Sequence, residues 1–160
     1  MIEMNVQGIT LDPMTNMPIV VLKGKDTDHV LPIWIGVFEA NAIAMQLEGI
    51  TRPRPMTHDL VNSIIDTLNG IVEYIHIHDL RDNTYYAEIT IKTQTGQVKI
   101  DSRPSDAINI ALRSGAPIFV SEEVLQKSQI EDSETDAKEE DLKEWLESIR
   151  PEDFGKQSSI

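Results

Sequence analysis

Cysteine and long apolar runs are both absent from this sequence. Without cysteine, disulfide frameworks, thiolate nucleophiles and cysteine-ligated zinc are excluded. No apolar stretch approaches the roughly 20 residues that cross a bilayer, and the chain does not open with the basic and then apolar segments of a signal peptide. We therefore expect a cytoplasmic protein that does not enter a membrane.

Basic residues are scarce. The chain has 14 of them against 27 acidic residues, a formal net charge of −13. Residues 121–160 carry 13 acidic and 5 basic residues, whereas residues 1–120 carry 14 and 9. Proteins that bind nucleic acid usually present a basic surface, so net charge does not support that partner. Only a local cluster could serve, drawn from Arg52, Arg54, Arg81, Arg103 and Arg113.

The pattern of apolar residues predicts an α+β fold. Strands are predicted over 1–10, 17–22, 30–36, 71–79, 85–93 and 97–101, with a bulge at Gly8. The near-continuous apolar run over 30–36 is typical of a strand buried on both faces. Helices are predicted over 39–47 and 58–69. The residues expected to face inward are Ala42, Ile43, Leu47, Leu60, Val61, Ile64, Ile65 and Leu68, with Met45 as a further candidate in the first helix. We expect one compact domain with a largely antiparallel sheet packed by helices.

The carboxyl-terminal part of the chain has a different character. Residues 1–130 make up the expected domain, and residues 131–160 form an acidic appendage. Its first ten residues are a polar linker. An apolar stripe then predicts a short amphipathic helix over 141–150, formed by Leu142, Trp145, Leu146 and Ile149. We expect that stripe to cover the domain or a neighbouring subunit, and a homodimer is the first expectation.

The stretch over 101–120 is typical of a strand end, a tight corner, a short helix and a second strand. Pro104 suits a first helical turn, Ser102 or Ser105 could cap it, and Gly115 suits the left-handed residue that ends a helix. This arrangement gathers polar side chains around one corner: Asp101, Arg103, Ser105, Asp106 and Asn109. We expect this corner to contribute to any functional site.

Four carboxylates lie near predicted strand ends or helix starts, namely Glu39, Asp79, Asp101 and Asp106. Hard cations such as Mg²⁺ and Mn²⁺ take oxygen ligands and stabilise the attacking and leaving oxygens in phosphodiester cleavage. The alternative is structural, because an acidic residue at a helix N-terminus complements the helix dipole. Taken singly, each carboxylate is more often structural, and only their convergence would indicate a metal site.

Histidine and arginine supply the remaining chemistry. We expect Thr57 to cap the second helix and Asp59 to complement its dipole, whereas His58 between them could act as a general base. Arg52 and Arg54 lie on a loop that two prolines stiffen. There they could clamp a phosphate or pair with acidic residues of another subunit, and both alternatives stay open.

Several short blocks of sequence carry a family resemblance. The most specific are Arg-Pro-Met-Thr-His-Asp at 54–59 and Arg-Pro-Ser-Asp-Ala-Ile at 103–108, and others lie at 31–36, 39–43, 79–81, 85–87 and 116–118. In this order they resemble the bifunctional nuclease domain family. The resemblance implies a compact α+β domain with a mixed sheet, and a nuclease that acts on both DNA and RNA in plant members. It implies no agreed catalytic residues.

Two functions follow as hypotheses. The first is a metal-assisted nuclease that cleaves DNA and RNA with Mg²⁺ or Mn²⁺ and without an organic cofactor. The residues expected in catalysis are Glu39, His58, Asp59, Asp101 and Asp106; those expected to bind substrate are Arg52, Arg54, Arg81 and Arg103; and the expected metal ligands are Asp79, Asp101 and Asp106. The second is a noncatalytic oligomeric module that binds a protein or a small ligand, which the acidic charge and the apolar stripe favour.

Overall fold

The structure is a computed structural model of the chain and describes residues 1–131. Within these residues seven strands form one sheet: β1 (Ile2–Leu11), β2 (Pro18–Gly24), β3 (Val30–Trp34), β4 (Ile71–Arg81), β5 (Thr84–Thr93), β6 (Gly96–Ser102) and β7 (Ile118–Val120). The helices are α1 (Val37–Leu47), α2 (Thr57–Thr67) and α3 (Pro104–Ser114), and residues 122–131 are also helical. No helix in this part of the chain is both long and apolar enough to span a membrane.

The strand order is β3-β2-β1-β7-β4-β5-β6. Neighbouring strands are antiparallel except β4 and β7, which are parallel. After the β4–β5–β6 meander, α3 carries the chain back to the middle of the sheet, where β7 pairs with both β1 and β4. The predicted α+β fold with a mixed, largely antiparallel sheet is confirmed.

Bulges and turns set which side chains point inward. The register of β1 against β2 shifts between Val6 and Gly8, so the bulge predicted at Gly8 is confirmed. β4 shifts between Val72 and Tyr74. Strict alternation from Ile75 would bury Ile71, but the extra residue leaves Ile71 exposed and buries Val72 instead.

The expectation that β3 is buried on both faces is wrong. β3 lies at the edge of the sheet and alternates, with Leu31 and Ile33 buried and Val30 and Trp34 about half exposed. Pro32, which lacks a backbone N–H, suits an edge strand because one side of it has no partner strand. The continuous apolar run therefore reflects one buried face and an exposed one that carries apolar residues as well.

The core lies where the helices pack on the sheet. α3 contacts both α1 and α2 and packs on β4 and β5, while α1 packs on β1 and β2. α3 contributes small and branched side chains that are fully buried: Ala107, Ile108, Ile110 and Ala111. In α1 the predicted inward positions Ala42 and Ile43 and the further candidate Met45 are buried, whereas Leu47 is exposed.

Two predictions for α2 are also wrong: its N-cap residue is Met56 rather than Thr57, and of the residues predicted to face inward only Ile65 is partly buried. No residue of α2 is fully buried, and the apolar residues Leu60, Ile64 and Leu68 are each half or more exposed. The partly buried positions are His58, Asp59, Asn62 and Ile65. α2 therefore packs on α3 through a mostly polar edge and leaves an apolar side exposed.

Residues 1–126 form one compact unit, in which Val124 and Leu125 join the core. The predictions for residues 132–160, including most of the acidic linker and the amphipathic helix over 141–150, lie outside the described residues. The division of the chain at residue 130 accordingly stays a prediction.

Candidate functional site

The corner that begins α3 places Arg103 and Asp106 one helical turn apart. Pro104 occupies the first helical position, and Gly115 ends the helix with φ of 72°, as predicted. The prediction of a serine cap is wrong, because Arg103 is the N-cap residue and no side chain caps the helix. Ser102 instead donates its hydroxyl to the carbonyl of Arg103 at 2.9 Å.

Arg103 joins two of the predicted carboxylates. Its Nε donates to Asp106 Oδ2 at 2.9 Å, and its Nη2 donates to Asp106 Oδ1 at 3.1 Å and to Glu39 Oε1 at 2.9 Å. The guanidinium thus forms a bidentate pair with Asp106 and a bridge to α1. Its side chain is 63 % exposed, and Nη1 has no acceptor among residues 1–131. Two N–H donors are therefore available to a ligand.

His58 contacts the same aspartate from α2. Its Nε2 lies 2.8 Å from Asp106 Oδ1, and its side chain is only 13 % exposed. Burial raises the pKa of Asp106, but hydrogen bonds from Arg103 and His58 outweigh burial and hold that pKa below its ordinary value. An ionised carboxylate only accepts hydrogen bonds, so a neutral His58 carries its proton on Nε2. Its Nδ1 is then a proton acceptor.

Glu39 lies in the first turn of α1, and its carboxylate folds back over the start of the helix. A hydrogen bond from its own backbone N–H, and then one from Arg103, lower the pKa of Glu39. Gly36 leaves room for this conformation, because a Cβ at that position would lie 2.1 Å from Glu39 Oε2. Glu39 therefore complements the helix N-terminus and holds Arg103 at the same time.

These four side chains line one cleft, here called the Arg103 cleft. Its volume is about 330 Å³, and it is also lined by Phe38, Asn41, Ala42, Met56 and Thr57. That volume lies at the lower end of the range for ligand pockets. The cleft combines a His–Asp pair, a guanidinium with unused donors and an aromatic ring, Phe38, that is 88 % exposed.

Asp59 is the next residue after His58, but it pairs with Arg113 rather than with Asp106. Arg113 donates from Nε to Asp59 Oδ1 at 2.7 Å, from Nη1 to Asn109 Oδ1 at 2.9 Å and from Nη2 to the Ala42 carbonyl at 3.2 Å. The backbone N–H of Met56, and then Arg113, hold the pKa of Asp59 below its ordinary value. Because the Arg113 side chain is 7 % exposed, this network is a structural link between α1, α2 and α3.

The remaining predicted residues lie elsewhere. Asp79 accepts a hydrogen bond from Arg81 Nε at 2.5 Å near the β4–β5 turn, and Arg81 lies 4.4 Å over the ring of Tyr86. Asp101 is exposed on β6, opposite Glu88 on β5. Neither aspartate lines the Arg103 cleft. Arg52 and Arg54 line a second cleft, here called the arginine cleft, which is also lined by Pro55, Asp59 and Arg113.

The predicted metal ligands do not converge. Asp79, Asp101 and Asp106 lie in three separate settings, and residues 1–131 contain no group of three or more histidine, aspartate or glutamate side chains placed to hold a metal ion. In the Arg103 cleft the positive charge between Glu39 and Asp106 is the guanidinium itself. The described residues therefore do not fit the expected three-carboxylate site.

Asn109 has a role that the sequence did not specify. It is fully buried, and its Nδ2 donates to the carbonyls of Ser105 at 2.9 Å and Glu39 at 3.2 Å. Its side-chain oxygen accepts from Arg113. The four-residue spacing of Asn109 and Arg113 was visible in the sequence, but their partners on α1 and α2 were not.

Comparison with known proteins agrees with this description. Residues 20–133 match the family model of the bifunctional nuclease domain. An uncharacterized protein of Mycobacterium tuberculosis is 38% identical over 162 residues, covering 95% of this chain and 97% of the relative. Bifunctional nuclease 1 of Arabidopsis thaliana is 30% identical over 121 residues, and bifunctional nuclease 2 of Oryza sativa subsp. japonica is 29% identical over 120 residues. Each match covers 72% of this chain and 37% of the plant protein. Since the family model spans more than half of the sequence, the chain belongs to the bifunctional nuclease domain family, as its sequence blocks predicted.

Proposed function

We propose that this chain is a nuclease that hydrolyses phosphodiester bonds of DNA and RNA in the Arg103 cleft. One observation carries the proposal: His58, Asp106, Arg103 and Glu39 form a continuous hydrogen-bonded chain along the wall of a single cleft. Family membership supports the reaction class, because plant relatives are named bifunctional nucleases.

The geometry suits a general-base reaction. The free Nη1 donors of Arg103 bind the nonbridging oxygens of the phosphodiester, and His58 Nδ1 takes a proton from an attacking water. The water oxygen forms a bond to phosphorus, the bond from phosphorus to the leaving oxygen breaks, and His58 returns its proton to that oxygen. Asp106 is a positioning residue, because it holds the ring of His58 and stabilises its protonated form.

Electrostatics limit what this cleft does alone. Glu39 and Asp106 carry two negative charges against one positive charge on Arg103, so the cleft does not attract a phosphate strongly while His58 is neutral. Dependence on Mg²⁺ or Mn²⁺ is a separate part of the proposal, supported by the general chemistry of phosphodiester cleavage rather than by these residues.

The test is cleavage of labelled single-stranded and duplex DNA and RNA by highly purified protein, with Mg²⁺, with Mn²⁺ and with EDTA. Loss of a general base lowers such rates by about 10²–10⁴-fold, and we expect a loss of that order for His58→Gln. Asp106→Asn should also lose activity. Asp66→Asn, on the exposed side of α2, is the matched control and should cleave like the wild type.

The outcomes separate the alternatives. Cleavage that persists in His58→Gln and Asp106→Asn would place the activity elsewhere or in a contaminant. Asp101→Asn belongs in the same series, because a loss there alone would favour a site on β6 over the Arg103 cleft. A wild-type protein that cleaves no substrate under any condition would refute the nuclease proposal.

A second candidate is a noncatalytic oligomeric module. The observation that favours it is the apolar side of α2, where Leu60, Ile64 and Leu68 are exposed. Monomeric proteins seldom expose large contiguous apolar patches, and such patches commonly mark interaction sites. A catalytically inert protein that self-associates through α2 would support this candidate over the first.

A further inference from the structure

The arginine cleft carries the net positive charge that the Arg103 cleft lacks. Its volume is about 380 Å³, and its lining includes three arginines, Arg52, Arg54 and Arg113, against one carboxylate, Asp59. Thr51 and Ser63 add hydroxyl groups to the same wall. With a net of two positive charges, this cleft suits an anion.

The two loop arginines are not engaged by acidic residues. Arg113 is already paired with Asp59 and bonded to Asn109. Arg52 and Arg54, by contrast, are exposed and have no carboxylate partner among residues 1–131. Arg52 Nη2 lies 3.9 Å from the sulfur of Met45, which is an uncharged acceptor. Their guanidinium donors are therefore available to a ligand.

The loop holds these arginines in a restricted conformation. Arg52 precedes Pro53 and Arg54 precedes Pro55. A residue before proline is confined to extended backbone, and proline fixes its own φ. Less conformational entropy is then lost when a ligand binds, so a small anionic group can be held by few contacts.

The two clefts share one short segment of the chain, whose residues line one or the other. Met56, Thr57 and His58 line the Arg103 cleft, whereas the flanking residues Pro55 and Asp59 line the arginine cleft. Neighbouring residues are about 3.8 Å apart along the chain, so the clefts are close together. A strand that occupied both clefts would place two of its phosphates beside arginine side chains.

We propose that the arginine cleft binds the phosphate next to the phosphodiester that is hydrolysed in the Arg103 cleft. This inference rests on the proposed function and names its substrate class: a single-stranded polynucleotide with at least two phosphodiesters. The arginine cleft supplies the attraction for phosphate, and the Arg103 cleft supplies the chemistry. A compound with one phosphodiester uses the Arg103 cleft alone and gains nothing from the arginine cleft.

The experiment compares thymidine dinucleotide, which has one phosphodiester, with single-stranded octathymidylate. The Arg52→Gln, Arg54→Gln double variant should lose about 10-fold per arginine in kcat/KM for the octamer, the effect of a charge-assisted hydrogen bond. Its kcat/KM for the dinucleotide should not change. Lys23→Gln, Lys92→Gln removes the same charge from exposed strand positions and is the matched control.

A binding measurement tests the phosphate subsite independently of hydrolysis. The affinity of fluorescein-labelled octathymidylate is measured in EDTA, with the His58→Gln substitution present to prevent cleavage. Each phosphate neutralised on a single strand contributes about 0.7 to the slope of log K against log salt, so the double variant, which loses one phosphate contact, should lower that slope by about 0.7.

Each outcome decides one claim. If neither substrate is cleaved but octamer binding still depends on Arg52 and Arg54, the hydrolysis proposal fails and the phosphate subsite stands. The subsite is refuted if the double variant binds and cleaves the octamer like the control. It is also refuted if the variant loses as much kcat/KM for the dinucleotide as for the octamer. Failure of the wild-type cleft to bind the octamer would also refute it.

Discussion

At the scale of single residues, Glu39 combines a helix-capping role with a bond to Arg103, and Gly36 permits both. A methyl group at residue 36 would lie 2.1 Å from Glu39 Oε2, whereas a Cβ at Gly8 would meet nothing within 4 Å. The backbone at Gly36, with φ of −69° and ψ of 154°, is open to any residue. The need for glycine there is thus one of space.

We predict that Gly36→Ala displaces the Glu39 carboxylate and destabilises the protein by about 1 kcal/mol, the scale of a lost hydrogen bond. In a Glu39→Ala background the same substitution should hardly change the free energy of unfolding, because the carboxylate that clashes with the added methyl group is absent. Urea unfolding of the four proteins of this double-mutant cycle measures the coupling. Equal effects in both backgrounds would contradict the explanation, and Gly8→Ala is the control.

His76 predicts a pH dependence of stability. Its Nε2 lies 2.7 Å from Ser121 Oγ, and its ring centroid is 5.9 Å from that of His78. Burial, and then the neighbouring charge of His78, lower the pKa of His76; the carboxylate of Glu88 opposes them, and Lys99 adds a smaller lowering effect. The unfolded chain therefore binds this proton more tightly than the folded protein does.

Stability should consequently be complete above the unfolded pKa of about 6.5 and should fall as the pH drops through that value towards the folded one. Urea unfolding at pH 7.5 and pH 5.5 measures the change. His76→Gln keeps a polar group near Ser121 but does not titrate, so it should lose less stability on acidification. An equal loss in both proteins would assign the pH dependence to other groups.

At the scale of elements, α2 is held by polar contacts rather than by its apolar residues. Its partly buried edge includes His58, bonded to Asp106, and Asp59, bonded to Arg113. Arg113 also donates to groups on α1 and α3. The buried guanidinium therefore fixes the relative positions of three helices and of the Arg103 cleft between them.

We predict that Arg113→Met destabilises the protein by about 1–3 kcal/mol, because Asp59 and Asn109 lose their partner while partly or fully buried. Chemical denaturation measures this change. Lys25→Met is the control, since its ion pair with Glu3 is largely exposed and such pairs contribute about 0–1 kcal/mol. A loss no larger than that of the control would mean that the three helices are positioned without Arg113.

At the scale of the whole molecule, the exposed apolar side of α2 predicts self-association. Leu60, Ile64 and Leu68 follow each other at four-residue spacing, which places them on one side of the helix. A second copy of the chain carries the same surface, so a two-fold contact is self-complementary. A stable interface of this kind buries about 800 Å² on each partner, and α2 would form its centre.

We predict that the protein is a homodimer by light scattering after size-exclusion chromatography, and that Leu60→Glu, Ile64→Glu converts it to a monomer that keeps its fold. Leu11→Glu, Met14→Glu introduces the same charges at other exposed apolar positions and should leave the dimer intact. A monomeric wild-type protein, or a dimer unaffected by both changes on α2, would contradict this prediction.

Local features of the fold were predictable because they depend on near neighbours. The alternation of apolar residues predicted the strands, and Pro104 and Gly115 marked the bounds of α3. Burial was less predictable at β3 and α2. Periodicity identifies an apolar face, but only the position of the element in the sheet and its partners decides whether that face is covered.

The sequence by itself determined the α+β class, the order of elements and the family, together with most of the polar residues that take part in the site. Only the tertiary structure decided which of them meet. His58 and Asp106 are 48 residues apart, and Arg103 and Glu39 are 64 residues apart. They come together because β7 pairs between β1 and β4, which places α3 between α1 and α2. Asp79 and Asp101 share the chemistry of Asp106, but they lie on strands that this arrangement does not bring to the cleft.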